Sequence, residues 1–118
     1  MEAFDVLADP VRRRILDLIA DRAEAGGGPL SAGEIAATVR VETGLSQPAV
    51  SQHLKVLREC GFADVTAAGT RRLYGLREDG FRQVAHWLGR YRAFWEQRLD
   101  ALDTELRRGR STTRRRSP

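Results

Sequence analysis

The stretch LSQPAVSQHLKVLRECG, at positions 45–61, decides the fold of this chain. Ser46 is a residue type that caps helix N-termini, and Gln47 and Pro48 follow where a helix tolerates a missing N–H. Apolar residues then recur at i, i+4 and i+7: Val50, Leu54 and Leu57. Gly61 stands where a C′ glycine ends a helix. The pattern predicts a capped amphipathic helix with one buried stripe.

The opposite face of this predicted helix is polar. It carries donors, acceptors and two cations: Gln47, Ser51, Gln52, Lys55 and Arg58. Such groups bond to base edges and phosphates in the major groove of DNA. The next segment, FADVTAAGTRRLYGL at positions 62–76, has two short strand-like runs around a Gly-containing turn with two arginines. Together they predict the second helix and the β-wing of a winged helix-turn-helix.

Length and composition limit the class of protein. A chain of 118 residues with 42% hydrophobic residues predicts one small globular domain. No apolar run approaches the ~18 residues of a transmembrane helix, and the acidic N-terminus does not predict a secretory signal peptide. The single cysteine, Cys60, excludes an internal disulfide and is typical of a reducing compartment, so a cytoplasmic protein is expected.

The net charge of +4 is unevenly distributed along the chain. All 16 acidic residues lie at or before Glu105, whereas the segment after Leu106 carries six arginines. The body therefore has a charge of −2 and the tail one of +6, so the basic isoelectric point is no evidence of DNA binding by the fold. The low-complexity tail, 109–118, is predicted to be disordered. Two roles are open for it, a non-specific DNA arm and an inert solvated end.

Two helices are predicted at the N-terminal end. Residues 1–8 form a short one, with Ala3, Phe4 and Leu7 on one side. Asp9-Pro10 supplies the N-cap and the first residue of a second helix. The arginines that follow, at positions 12–14, are expected either to form a solvated face or to provide one phosphate contact.

A third helix is predicted from the S-x-x-E spacing of Ser31 and Glu34, which is that of a capping box. Its sequence is LSAGEIAATV, and RVETG at positions 40–44 is predicted as the turn. The order is helix, helix, helix, turn, helix, wing. The predicted fold class is mainly α with a small two-stranded β-wing.

A long helix is predicted from Glu78 to about Arg108. Its apolar residues recur every three or four positions: Phe81, Val84, Leu88, Tyr91, Trp95, Leu99, Leu102 and Leu106. A helix of about 30 residues spans about 45 Å, which is more than a body of this size needs. We expect the stripe to be buried against a second copy, and packing on the chain's own core is the alternative. The predicted domain is 1–108, followed by the tail.

These elements together resemble the ArsR family of small dimeric winged helix-turn-helix repressors from prokaryotes. The matching stretches are residues 6–16, the SAGEIA helix, SQPAVSQHLKVLRECG and GTRRLYGL. The resemblance implies a homodimer that binds a palindromic operator in double-stranded DNA. It also implies an interface between the first and last helices, formed by Phe4, Leu7, Leu88, Tyr91, Trp95, Leu99, Leu102 and Leu106.

The family is best known for sensing metals and metalloids, and this chain departs from that pattern. The helix before the 45–61 helix contains no cysteine, and on the last helix His86 stands well before Asp100 and Asp103. A zinc site needs three or four converging N, S or O donors. The sequence therefore predicts no metal and no cofactor. It is closer to the family's non-metal branch, whose members often repress their own operons, and the effector stays open.

The residues of the predicted DNA site have three roles. Gln47, Ser51 and Gln52 are expected to read bases. Ser46, Lys55 and Arg58 are expected to hold the helix on phosphates, and Arg71 and Arg72 of the wing to grip the backbone or the minor groove.

Enzyme chemistry is not supported, because Ser51 and His53 have no third member of a catalytic triad. His53 is expected to be partly buried with a hydrogen bond rather than to contact a base. Two alternatives to a plain repressor remain. One is a winged-helix protein-interaction module, and the other is a thiol-responsive repressor in which Arg58 and Arg71 activate Cys60.

Overall fold

The computed structural model describes the backbone of residues 1–116 and the side chains of residues 1–109. It divides into two compact units, Met1–Val84 and a second that starts at Ala85. The elements are α1 (Ala3–Ala8), α2 (Pro10–Glu24), β1 (Leu30–Ser31), α3 (Ala32–Thr43), α4 (Gln47–Glu59), β2 (Ala63–Ala68), β3 (Arg71–Leu76) and α5 (Glu78–Arg116).

The first unit is built around one apolar core. Its largest fully buried side chains come from four helices and the residue just before β2: Phe62, Ile15, Ile19, Ile35, Leu57, Val6, Val39 and Val50. The predicted stripe of α4 is confirmed, because Val50, Leu54 and Leu57 are all buried. The core thus holds α4 by the face that the sequence marks as apolar.

Side-chain caps start the helices at the predicted residues. The Asp9 carboxylate accepts hydrogen bonds from the amides of Val11 (2.8 Å) and Arg12 (3.2 Å). Burial works against the charge on Asp9, but those two hydrogen bonds and the nearby His53 hold its pKa below the ordinary value. Ser31 Oγ accepts from the amide of Glu34 at 3.1 Å, which confirms the N-cap of α3.

The predicted turn at 40–44 is wrong, because α3 continues to Thr43. Two hydrogen bonds from Arg14 of α2 hold the Glu42 carboxylate, Nη2 to Oε1 at 2.7 Å and Nε to Oε2 at 2.9 Å. Gly44 then ends the helix at a φ of 74°, a left-handed conformation that glycine adopts without strain. The turn between α3 and α4 is therefore only residues 44–46.

The sheet has three antiparallel strands in the order β1-β3-β2, whereas two were predicted. The additional strand, β1, pairs Leu30 with Tyr74 and Ser31 with Leu73. It has only two residues, so it is too short to show the alternation that identifies a strand in sequence. The β2–β3 hairpin, hereafter the wing, is confirmed. Its two-residue loop starts at Gly69 with a φ of 63°, as a type II′ turn requires.

Arginines 12–14 make local contacts that the sequence does not predict, while a phosphate contact from one of them stays a prediction. Arg12 donates to the carbonyls of Val6 (3.0 Å) and Asp5 (3.1 Å), and Arg13 donates to that of Leu7 (2.6 Å). These carbonyls lie in the C-terminal part of α1, where intrahelical partners run out, and that of Val6 also accepts from the Asp9 amide at 3.5 Å. The run therefore caps α1, and Arg14 joins α2 to α3.

Helix α5 begins in the core of the first unit. Phe81 packs edge-on against Phe62, with ring centroids 4.9 Å apart, and Gly80 leaves space because a Cβ there would come within 2.7 Å of the Phe62 ring. The helix continues past the predicted end near Arg108 to Arg116. The predicted disorder of 109–118 stays a prediction, since the side chains from position 110 and the last two residues lie outside the described residues.

The Arg14–Glu42 pair predicts a pH-dependent contribution to stability. The hydrogen bond from Arg14 holds the pKa of Glu42 below its ordinary value, although burial works against this. The contribution is therefore present above the pKa of the unfolded carboxyl and is lost as pH falls through the lower folded value. We expect Glu42→Gln to lower the Tm at neutral pH, and the gap to wild type to close in acid.

Thermal melts across the pH range measure this gap. Glu24→Gln is the matched control, because Glu24 is exposed and has no ion pair among the described residues. It should leave the melting curve unchanged. A Glu42→Gln gap that stays constant with pH would contradict the prediction.

Candidate nucleic-acid interface

Helix α4 presents a polar stripe on its exposed side. Gln47, Ser51 and Lys55 follow at intervals of four residues, so they lie along one face, and Gln52 lies beside them. All four are exposed. Among the described residues, the side chains of Gln47, Ser51 and Gln52 have no hydrogen-bond partner, so their donors and acceptors face solvent.

The start of α4 favours an anion. The exposed Ser46 caps the helix, since its Oγ accepts from the amide of Ala49 at 3.3 Å, and its hydroxyl proton remains free to be donated. The first turn contains no acidic residue. Because the N-terminus of a helix carries partial positive charge, this end of α4 is electropositive without internal compensation.

The two predicted cations of α4 have different surroundings. Lys55 is exposed and lies 4.0 Å from Glu59, an i,i+4 pair that solvent screens. Arg58 comes eleven residues after Gln47, about 16 Å further along the helix axis. It is half-buried and lines a groove of about 540 Å³ with Met1, Cys60 and Arg77. The structure therefore does not bring Arg58 together with the start of the helix.

The two wing arginines also differ. Arg71 Nη2 lies 3.0 Å from Oε1 of Glu34. Arg72 is exposed and has no ion pair among the described residues. Both arginines line a groove of about 450 Å³ beside the first turn of α3, together with Gly33 and Thr70. Of the two wing arginines, Arg72 is therefore the one whose positive charge has no ion pair in the described part of the chain.

Arg40 is a further free cation that was not predicted. It is exposed near the end of α3, and its side chain has no hydrogen bond or ion pair among the described residues. The sequence prediction does not include it, because RVETG at positions 40–44 is predicted as a turn. The one available signal was that Arg40 and the residues before it continue without a helix breaker as far as Gly44.

Two other singled-out side chains lie away from the polar stripe. Cys60 forms the C-cap of α4, is half-buried, and has its Sγ 3.8 Å from the Met1 carbonyl oxygen. His53 is half-buried, as expected, but the hydrogen bond expected for it is not found among the described residues. Its charge acts on Asp9, whose pKa it helps to lower.

Helix α5 leaves its apolar stripe exposed in the single chain. The residues from Leu88 onward are between 39% and 61% exposed: Leu88, Tyr91, Trp95, Leu99, Leu102 and Leu106. We call these six residues the seam. Trp87 and Phe94 are also exposed and widen the apolar surface, and Phe94 was not predicted. In α1, Phe4 is exposed, whereas Leu7 packs partly against the core.

Metal-ligating side chains do not cluster in the described part of the chain. No group of three or more His, Cys, Asp or Glu residues that could hold an ion is found there, and His86 is exposed. None of the described helices is both long and apolar enough to cross a membrane.

This chain is similar to known DNA-binding regulators. Residues 7–66 match a family model described as a helix-turn-helix domain. The chain is 40% identical over 97 residues to the HTH-type transcriptional regulator Rv2034 of Mycobacterium tuberculosis, covering 82% of this chain and 78% of the relative. It is 29% identical over 85 residues to the transcriptional repressor SdpR of Bacillus subtilis, covering 72% of this chain and 83% of the relative.

Solved structures agree. The ArsR family transcriptional regulator RHA00566 superposes with a TM-score of 0.63 at 26% identity, over 80% of this chain and 87% of that one. The chain belongs to the ArsR family. The homodimeric winged helix-turn-helix DNA-binding domain of Mb0332 from Mycobacterium bovis matches with a TM-score of 0.53 at 25% identity, over 75% of this chain and 76% of that one. This ArsR-family protein is thus a transcriptional regulator with a winged helix-turn-helix fold, and not an enzyme.

Proposed function

We propose that this ArsR-family protein is a homodimeric cytoplasmic repressor that binds a palindromic operator and has no metal-sensing site. The observation that carries the proposal is the unpartnered polar stripe on α4, held outward by a fully buried apolar stripe. The similarity to SdpR, which is named a transcriptional repressor, supports repression rather than activation. The resemblance to the non-metal branch adds the chain's own operon as a target.

Base readout is assigned to the first two turns of α4. Gln47, Ser51 and Gln52 are exposed there, and their amide and hydroxyl groups match the donor and acceptor patterns of base edges. The electropositive helix start and the Ser46 hydroxyl suit a phosphate.

Phosphate contacts outside the helix start are assigned to cations that the fold leaves unpaired. Arg40 and Arg72 are exposed and have no ion pair among the described residues. Lys55 is included because its exposed pair with Glu59 is weak. Arg58 keeps its predicted phosphate role only at the far end of α4, where the backbone of a bound duplex would pass. These contacts give affinity and register rather than sequence information.

The dimer is assigned to the seam. Six large apolar side chains along one face of α5 are exposed in the single chain, which is more than isolated surface residues account for. The homodimeric Mb0332 domain supports a second copy of this chain as the partner. Two linked copies of α4 then match two operator half-sites about 34 Å apart.

The readout assignment predicts a loss of discrimination in two variants. A selection from randomised duplex DNA first supplies the operator. We expect Gln47→Ala and Ser51→Ala each to lose about 1–3 kcal/mol of preference for operator over random DNA, the range of one good base contact. Gln97→Ala, on exposed α5, is the matched control and should bind as wild type does.

Titrations on both DNAs decide between the proposal and its rival. If wild type selects no sequence, the protein-interaction module is favoured instead. If wild type selects an operator but neither α4 variant changes the preference, the readout residues are assigned wrongly.

The dimer assignment predicts that a charge in the seam separates the copies. Leu99→Asp should give monomer or aggregate, because an unpaired carboxylate in an apolar interface is costly. Operator affinity should fall with it. The control is Gln97→Asp, an exposed neighbour half a turn away from the seam, which should remain dimeric. Sedimentation velocity at micromolar concentration measures both, and a monomeric wild type would overturn the assignment.

A further inference from the structure

Glu34 connects three elements of the first unit. Its Oε2 lies 2.6 Å from Nη2 of Arg22 in α2, and its Oε1 lies 3.0 Å from Nη2 of Arg71 in β3. Glu34 itself belongs to the first turn of α3. One carboxylate therefore ties the wing to the helix pair on which α4 is mounted.

Both oxygens of Glu34 are used for this purpose. In a complete capping box the Glu34 side chain would turn back to the amide of Ser31. Among the described residues only the other half of the box is present, in which Ser31 Oγ accepts from the Glu34 amide. The carboxylate faces the two arginines instead, so the sequence motif caps α3 with its serine and anchors the wing with its glutamate.

Of the two wing arginines, Arg71 is the one that pairs with Glu34 among the described residues. Arg71 and Arg72 are consecutive on β3, opposite Ala68 and Ala67 of β2. Successive side chains of a strand point to opposite faces. Arg71 pairs with Glu34, whereas Arg72 has no ion pair among the described residues, although both line the groove beside the first turn of α3.

We propose that Glu34 is a positioning residue that anchors the wing through Arg71, and that Arg72 alone makes the wing's phosphate contact. The inference rests on the proposed function and refines it, since both arginines were expected to grip DNA. Moving Arg71 to a phosphate would leave the Glu34 carboxylate with one partner beside a polyanion, which is unfavourable. An Arg71 that stays on Glu34 avoids this repulsion.

The anchor is tested first without DNA. We expect Glu34→Gln to speed hydrogen exchange of the amides that join β3 to β1 and β2, while amides of α4 exchange as in wild type. Glu24→Gln is the control, an exposed carboxylate with no ion pair in the described part of the chain. Unchanged exchange in the wing of Glu34→Gln would overturn the anchor.

The division of labour is tested by salt dependence on an operator duplex. Each phosphate contact adds about 0.9 to the slope of log affinity against log salt. Arg72→Gln should flatten the slope by about 0.9 per subunit, and Arg71→Gln should leave it unchanged. Glu34→Gln should weaken binding about two- to fivefold per subunit, which is the effect of one exposed ion pair. The double variant Glu34→Gln/Arg71→Gln should be no weaker than either single one, because both remove the same contact.

Tighter DNA binding by Glu34→Gln, or a flatter salt slope for Arg71→Gln, would overturn the proposal. If Arg71 were a phosphate contact that Glu34 holds back, Glu34→Gln would tighten binding and Arg71→Gln would flatten the slope. If wild type binds no DNA, the proposed function fails and the Arg72 assignment falls with it. The exchange measurement still decides the anchor in that case, so the two failures are distinguishable.

Discussion

Burial of one stripe of α4 is the constraint on which the rest of the structure depends. Val50, Leu54 and Leu57 enter the core of the first unit, and burying each such side chain contributes about 1.5–3 kcal/mol. A helix held by one face has a single rotational setting, so the polar stripe that begins at Gln47 must face outward. The exposed amides therefore follow from packing. A substitution that rotated α4 would expose its apolar stripe to solvent and turn its polar stripe inward at the same time.

The fold then determines which charges are available to a partner. Most basic side chains of the first unit are already occupied, as helix caps or in ion pairs: Arg12, Arg13, Arg14, Arg22, Arg71, Arg77 and Arg82. Lys55 has only the weak pair with Glu59. Net charge alone cannot show this division, because the sequence counts every arginine equally. Arg40, Arg58 and Arg72 have no ion pair in the described first unit, so they are better candidates for phosphate contacts than the paired arginines. The phosphate contacts are thus inferred from the basic side chains that have no partner within the described first unit.

Local patterns predicted much of this structure, and several contacts that they missed join residues far apart in sequence. The cap, stripe and end of α4 depend on residues within a few positions of each other, and all three are confirmed. The ion pair of Arg14 and Glu42 joins residues 28 apart in sequence, and that of Arg71 and Glu34 joins residues 37 apart. No local spacing reveals such partners. The DNA contacts and the dimer seam involve other molecules, so they stay proposals on a confirmed fold.

The central claim is that the outward face of α4 reads sequence. Side-chain amide resonances of glutamine, followed by NMR during titration with an operator duplex and a random duplex of equal length, test it most directly. The account predicts that the Gln47 and Gln52 side-chain amides shift with the operator and much less with random DNA, while that of Gln97 on α5 shifts with neither. Equal shifts of Gln47 and Gln52 on both duplexes, or shifts confined to α5, would contradict it.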